Sequence, residues 1–206
     1  MHDHDHGTHQ PDLEDQPYTR YMALTEAVTA LLQDKAIFTA DELRRTIESI
    51  DSRSPADGAR LVARSWVDQA FRTRVLADVN AAAAEVGIDA GGIPIRAVAN
   101  DPATHNVIVC TLCSCYPRLL LGPSPDWYKA RAYRSRVVRE PRAVLAEFGL
   151  VLPAGKSVVV HDSTAELRYL VVPERPAGTE GWSEADLAAL VTRDCLIGTA
   201  VPRVPD

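Results

Sequence analysis

Asn106-Val107-Ile108-Val109-Cys110-Thr111-Leu112-Cys113-Ser114-Cys115-Tyr116-Pro117 is the stretch on which the fold turns. Its first four residues are largely β-branched and apolar, which predicts a short buried strand. That strand leads straight into three cysteines, Cys110, Cys113 and Cys115. Sulfur is scarce elsewhere: one remote cysteine, Cys195, and two methionines. A thiol cluster in so cysteine-poor a chain points to chemistry rather than packing.

Upstream of the strand the chain is helical. Leu24, Val28, Leu31 and Leu32 share one helical face. Thr39 and Glu42 form a capping box that starts a second helix near Ala40. Ser54-Pro55 opens a third helix, through Leu61, Val62 and Trp66. Asp68 caps a fourth, expected to run through Phe71, Val75 and Val79 and to stop near Gly87. From Ile93 the pattern changes to short strands, at 93–98, 106–109, 157–160 and 167–172, with loop-like sequence at 119–125. A helical turn starts at Asp126, and Pro141 and Ser183 open two further helices. The expected class is α+β: a His/Asp-rich tail over 1–17, a helical arm over 18–88 and an α/β domain bearing the cysteines over 89–206.

Composition narrows the function. The chain has 206 residues, enough for one sizeable core, and 46% hydrophobic with 24% charged residues is an ordinary globular balance. A formal charge of −6 argues against general nucleic-acid binding. No apolar run approaches the about 18 residues of a membrane span. With no recognisable export leader, the expected compartment is the cytoplasm, where metal or redox use of cysteine outranks a disulfide framework. His2, His4, His6 and His9 alternate with Asp3 and Asp5 in a tract that reads as a solvated tail or a weak metal-capture arm.

Three chemistries compete for the cysteines. Zinc accepts the Cys110–Cys113 spacing, but the single residue between Cys113 and Cys115 fits a tetrahedral site poorly. Zinc also wants a remote fourth ligand, such as Cys195 or His161. A Cys110–Cys113 redox pair expects a following helix to activate the thiol, and here a Tyr-Pro loop follows. An unusual metal site suits Cys-Ser-Cys better. Two thiolates one residue apart bring the Ser114 and Cys115 peptide nitrogens between them. With Cys110 as a third sulfur, one position on a trivalent ion stays open, as at a catalytic rather than a structural site. Thiolate and amide donors suit cobalt or iron in that state.

Val109-Cys110-Thr111-Leu112-Cys113-Ser114-Cys115-Tyr116-Pro117 resembles the metal claw of the nitrile hydratase α-subunit family. The likeness extends to Trp66-Val67-Asp68, Thr104-His105-Asn106-Val107, Asp126-Trp127-Tyr128-Lys129, Tyr133-Arg134-Ser135-Arg136, Glu140-Pro141-Arg142 and the run from Arg168 to Trp182. The thiocyanate hydrolase γ subunit shares the claw. The resemblance implies an α-β-β-α layered domain behind a helical arm. It implies Cys110, Cys113, Ser114 and Cys115 as metal ligands, with Cys113, Ser114 and Cys115 as the catalytic group. Cys113 would mature to a sulfinic and Cys115 to a sulfenic acid. Thr111 matches the cobalt-type members, so the expected cofactor is Co(III), with Fe(III) the alternative. A β-type subunit, in some relatives split into two chains, would supply arginines to the oxidised sulfurs. An activator protein would insert the metal.

The resemblance also places Asp162 and Arg168 beside the claw or at the subunit interface. Two departures concern the substrate. Arg118 stands where typical members have a pocket tryptophan, and Gly91 falls where they have a glutamine. Together they point to a pocket that is wider and more polar or positive than usual. Arg118 and Arg193-Asp194-Cys195-Leu196-Ile197-Gly198 resemble thiocyanate hydrolase γ. Arg118 would equally suit members that act on bulky heteroaromatic nitriles such as toyocamycin. The Glu174–Glu180 and Tyr133–Arg136 runs resemble nitrile hydratase. Cys195 reads as a small buried residue.

Overall fold

The computed structural model describes residues 18–205. The His/Asp-rich tract over 1–17 lies outside them. The helices before the first strand follow their caps. Thr19 caps α1 (Arg20–Asp34) through the Met22 amide. Thr39 and Glu42 exchange hydrogen bonds at the start of α2 (Ala40–Asp51), as a capping box requires. Pro55 precedes α3 (Ala56–Val67). Asp68 accepts from the Phe71 amide and starts α4 (Gln69–Ala77).

The single fourth helix expected from the sequence is two. Asp78 adopts an extended backbone, ends α4 and caps α5 (Val79–Glu85) through the Ala81 amide at 3.0 Å. An aspartate that bonds the backbone two or three residues on competes with the helix running through it.

Two strand pairs follow. β1 (Ile95–Ala99) pairs in parallel with β4 (Arg168–Val172), Ile95 opposite Arg168. β2 (Thr104–Val109) pairs in parallel with β3 (Ser157–Asp162), Thr104 opposite Ser157 and Val109 opposite Asp162. Parallel neighbours need long crossovers. Between β2 and β3 the chain makes the cysteine loop and four short helices, α6 (Arg118–Leu121), α7 (Asp126–Lys129), α8 (Arg131–Arg136) and α9 (Pro141–Glu147). After β4 come α10 (Glu184–Ala189) and α11 (Arg193–Ile197), capped by Ser183 and Thr192. Here too the sequence was too coarse: α6 lies in the stretch expected to be loop, and α8 and α11 carry no apolar repeat long enough to betray them.

The strand pairs meet through β2 and β4. Helices α4 and α5 pack on β1, α11 on β4 and β2, and α9 on β3. This is the mixed class the sequence leads one to expect. β2 is buried at every residue after Thr104, which explains its unbroken apolar run.

The chain divides into two compact units after Glu48. Leu61, Val62, Phe71, Val75 and Val79 of α3–α5 share one core with Val107–Val109 and Leu170–Val172. Only α1 and α2 bury none of their residues.

A buried polar chain crosses this core beside β2. His105 Nε2 donates to the Gly198 carbonyl at 2.7 Å, which leaves Nδ1 to accept from Asn100 Nδ2 at 3.2 Å. Asn100 Oδ1 accepts from the Asn106 amide at 2.7 Å. Asn106 Oδ1 accepts from His161 Nε2 at 2.8 Å. His105 is fully buried, so these bonds offset a desolvation cost that would otherwise fall on the strand.

Gly198 lets α11 sit this close. Its φ is +94°, and a Cβ there would lie 2.1 Å from the Asn106 carbonyl oxygen. Gly198→Ala is expected to cost about 3 kcal/mol, measured as a drop in the urea midpoint of the purified chain. Burial pushes both His105 and His161 below the ordinary imidazole value, and Arg96 lowers His161 further. The unfolded imidazoles, near 6.5, take up protons that the folded ones refuse. Stability is therefore expected to fall as pH drops through about 6.5 and below. The loss between pH 7.5 and 5.5 should shrink in His105→Gln.

Candidate metal centre

β2 delivers its last residue, Val109, into the core, and the chain then leaves the sheet as the cysteine loop. The parallel register puts Asp162, at the end of β3, opposite Val109. From there its carboxylate reaches across to Thr111, accepting from the amide at 2.9 Å and from Oγ1 at 2.5 Å. The Ser163 amide donates to the Val109 carbonyl at 2.6 Å. Arg134 of α8 donates to the Thr111 carbonyl at 3.1 Å, and the Tyr128 hydroxyl of α7 donates to the Cys115 carbonyl at 2.9 Å. Tyr128 belongs to an aromatic group with Tyr116, Trp127, Tyr133 and Phe148, packed mostly edge to face. The loop is thus held at both ends by groups outside it.

Held this way, it turns its sulfurs together. Cys113 Sγ lies 3.5 Å from Cys110 Sγ and 3.3 Å from Cys115 Sγ. All three sulfurs lie within 4.8 Å of one another. They are free thiols, standing for the thiolate or oxidised sulfurs of a loaded site. The separations are too long for a disulfide. Depth differs along the loop: Cys110 is buried, Cys115 intermediate and Cys113 exposed.

The electrostatics suit a cation. Hydrogen bonds from Cys115 and Cys110, then the Ser114 amide, lower Cys113 to about 7. Cys115 is pushed up to about 12 by burial first and by Cys113 second, while Arg168 pulls the other way. The cluster gives up its first proton readily and resists the second, because two thiolates in contact repel. A bound metal ion removes that penalty. Three converging sulfurs and the intervening peptide nitrogens therefore fit a thiophilic, high-valent ion. A structural zinc site fits less well. Among the described residues no fourth His, Cys, Asp or Glu joins the group. Cys195 lies on α11 against Thr192, and His161 is engaged with Asn106.

A cavity of about 400 Å³ opens beside the cluster. Cys113, Ser114 and Cys115 line it, with Arg118, Gly91 and Arg168. The structure so brings Gly91, from the loop before β1, and Arg118, the first residue of α6, to the same space as the sulfurs. Arg168 Nη1 is buried and has no hydrogen-bond partner among the described residues. Asp162 does not line the cavity; it acts on the loop behind. Sequence reasoning singled out none of Tyr128, Arg134 and Leu119 individually. The first two fall in stretches it had marked, but only the fold shows that they grip the loop.

Comparison with known proteins agrees with this geometry. A family model described as nitrile hydratase, alpha chain, matches residues 19–200. The chain belongs to the nitrile hydratase α-chain family. It is 47% identical over 192 residues to the high-molecular weight cobalt-containing nitrile hydratase subunit alpha of Rhodococcus rhodochrous, covering 91% of this chain and 94% of that one. It is 44% identical over 192 residues to the thiocyanate hydrolase subunit gamma of Thiobacillus thioparus, covering 87% and 79%. A double mutant of the Fe-type nitrile hydratase from Comamonas testosteroni Ni1 superposes with a TM-score of 0.83 at 39% identity, covering 90% of this chain and 91% of that one.

Within this family frame, Asp162 is the group whose removal isolates loop order from ligand identity. Asp162→Ala keeps every sulfur and takes away two hydrogen bonds to Thr111. Cobalt affinity, measured by competition with a chelator, is expected to fall about 10- to 100-fold.

Proposed function

We propose that this chain is the metal-bearing subunit of a nitrile hydratase that adds water to a nitrile to give the amide. The observation that carries the proposal is the meeting of Cys110, Cys113 and Cys115 sulfurs within 4.8 Å beside an open cavity. Cys110, Cys113 and Cys115, with the Ser114 and Cys115 amide nitrogens, would hold Co(III), or Fe(III) in the alternative. Thr111 and the cobalt-containing relative favour cobalt. When bound, the ion supplies Lewis acidity that makes a nitrile carbon electrophilic.

The chain's own residues do the rest. Cys113 matures to a sulfinate and Cys115 to a sulfenate, taking oxygen from dioxygen or a peroxide. The Cys115 sulfenate would take a proton from the water whose oxygen bonds the nitrile carbon as a C≡N π bond opens, and pass that proton to the nitrogen; in the alternative its own oxygen bonds that carbon, and a water oxygen restores the sulfenate as the amide leaves. Asp162 fixes the loop that carries these groups, and Arg168 lends positive charge beside Cys115. Arg118 and Gly91 shape the substrate cavity. A β-type subunit, in one chain or two, completes the site with arginines, and an activator protein inserts the metal. The compartment is the cytoplasm. No helix among the described residues is long and apolar enough to cross a membrane.

The cavity supports a bulky heteroaromatic nitrile as substrate. Arg118 is exposed and offers a flexible cationic chain in place of a bulky ring. A second reading rests on the same Arg118: a cation at the mouth also suits the thiocyanate anion, and the γ subunit of thiocyanate hydrolase is a near relative.

Metal and intact-mass analysis of the purified complex tests the proposal. Cobalt at one per chain with about three added oxygens on Cys113 and Cys115 is the expected result. Stoichiometric zinc with unoxidised thiols would make the chain a non-catalytic zinc module instead. Assay of the complex on a heteroaromatic nitrile and on thiocyanate separates the enzymes: amide from the nitrile and no turnover of thiocyanate is expected.

A further inference from the structure

Leu119 forms part of the cavity wall beside the sulfurs. It follows Arg118 on α6, is half-buried, and faces the cavity opposite the loop before β1. Its contact there is with a glycine. A Cβ built on Gly91 would lie 2.6 Å from Leu119 Cδ1, closer than carbon atoms approach. Leu119 thus occupies the volume that any side chain at position 91 would need. Gly91 has φ +78°, so the loop itself prefers glycine there.

Both sides of this contact are anchored. Leu120 and Leu121, next on α6, are fully buried, and Arg193 donates to the Pro123 carbonyl just beyond at 2.6 Å. On the other side, Asn80 Nδ2 donates to the Gly91 carbonyl at 2.8 Å and to the Ile93 carbonyl at 3.1 Å, while its Oδ1 accepts from the Ile95 amide at 2.8 Å. Asp89 accepts from the Gly91 amide at 2.9 Å. With the helix and the loop both anchored, the leucine side chain fills the gap between them. Beyond the loop lies a second cavity of about 430 Å³ that shares Gly91, Gly92 and Ile95 with the first. Gly91 and Gly92 form a thin partition between the two, and Leu119 is the side chain that leans on it.

The geometry points to Leu119, seated on Gly91, as a specificity-determining residue that sets how far a nitrile's organic group extends into the cavity. The inference rests on the nitrile reading of the site and deepens it. Shortening Leu119 lengthens the cavity toward the partition. Adding a side chain at Gly91 drives Leu119 into the cavity and shortens it. The two changes act through one contact, so they are not additive.

The test uses the loaded complex with its partner subunits and follows kcat/KM for 3-cyanoindole and for acetonitrile. In Leu119→Ala the ratio of large to small substrate is expected to rise about tenfold, the range that a few methylene groups command in an apolar pocket. In Gly91→Ala the ratio should fall by a similar factor, and in the double variant that fall should be largely abolished. A Leu119→Ala ratio within twofold of the parent overturns the assignment while amide formation stands. A parent complex that turns over neither nitrile instead overturns the nitrile reading. A crystal structure of Gly91→Ala decides the contact without any assay: Leu119 displaced toward the sulfurs supports it, and Leu119 unmoved overturns it. Should Gly91→Ala fail to fold, Leu119→Phe takes its place, with a ratio below the parent's expected and an unchanged ratio overturning the inference.

Discussion

The carboxylate of Asp162 is the hinge on which this molecule's chemistry hangs. Three cysteines close in sequence do not converge by themselves; a free loop would scatter them and repel the thiolates. The pairing of β2 with β3 places one carboxylate opposite Val109, and that carboxylate takes both donors of Thr111. Everything upstream of this contact serves the register: the buried β2, the His105–Asn100–Asn106–His161 chain that ties β2 to α11 and β3, and Gly198, which admits α11. Everything downstream depends on it. Asp162 and Arg134 hold the residue after Cys110 at its amide, hydroxyl and carbonyl, and the three sulfurs converge beside it.

Beyond the carboxylate of Asp162 and the guanidinium of Arg134, the backing of the loop is aromatic. Tyr128 and Tyr133 spend their hydroxyls on backbone carbonyls, of Cys115 and Ile108. Burial raises both phenols well above their ordinary value, which keeps them neutral donors at any physiological pH. A neutral backing leaves the electrostatics of the site to its sulfurs and to the nearby arginines, Arg118, Arg134 and Arg168.

Much of this was legible in the chain before folding, and the reason is locality. Caps at Thr39, Asp68 and Ser183 act within three residues, so their helices could be placed. The cysteine spacing is equally local, and its chemistry could be narrowed at once. What escaped was decided at a distance. The break at Asp78 is hidden because its capping of the Ala81 amide competes with an apolar face that runs on through Val79. The parallel pairing of β2 with β3, across four helices, leaves no mark in either strand. The helical content up to residue 88 looked like one arm, whereas the side chains of α3–α5 are spoken for by the strands. Leu119 drew no notice because its partner, Gly91, is a residue defined by having nothing there.

The graded depth of the three sulfurs has a consequence for how such a centre is made. Cys110 lies in the protein interior, while Cys113 stands in the open and Cys115 between them. Small oxidants diffusing in from solvent meet the two outer sulfurs first, and the inner one is shielded by the very strand end that anchors it. Under the maturation proposed for this site, exposure alone would separate the two sulfurs to be oxidised from the one to be spared, and the order in which the chain buries its cysteines would become a recipe for the centre.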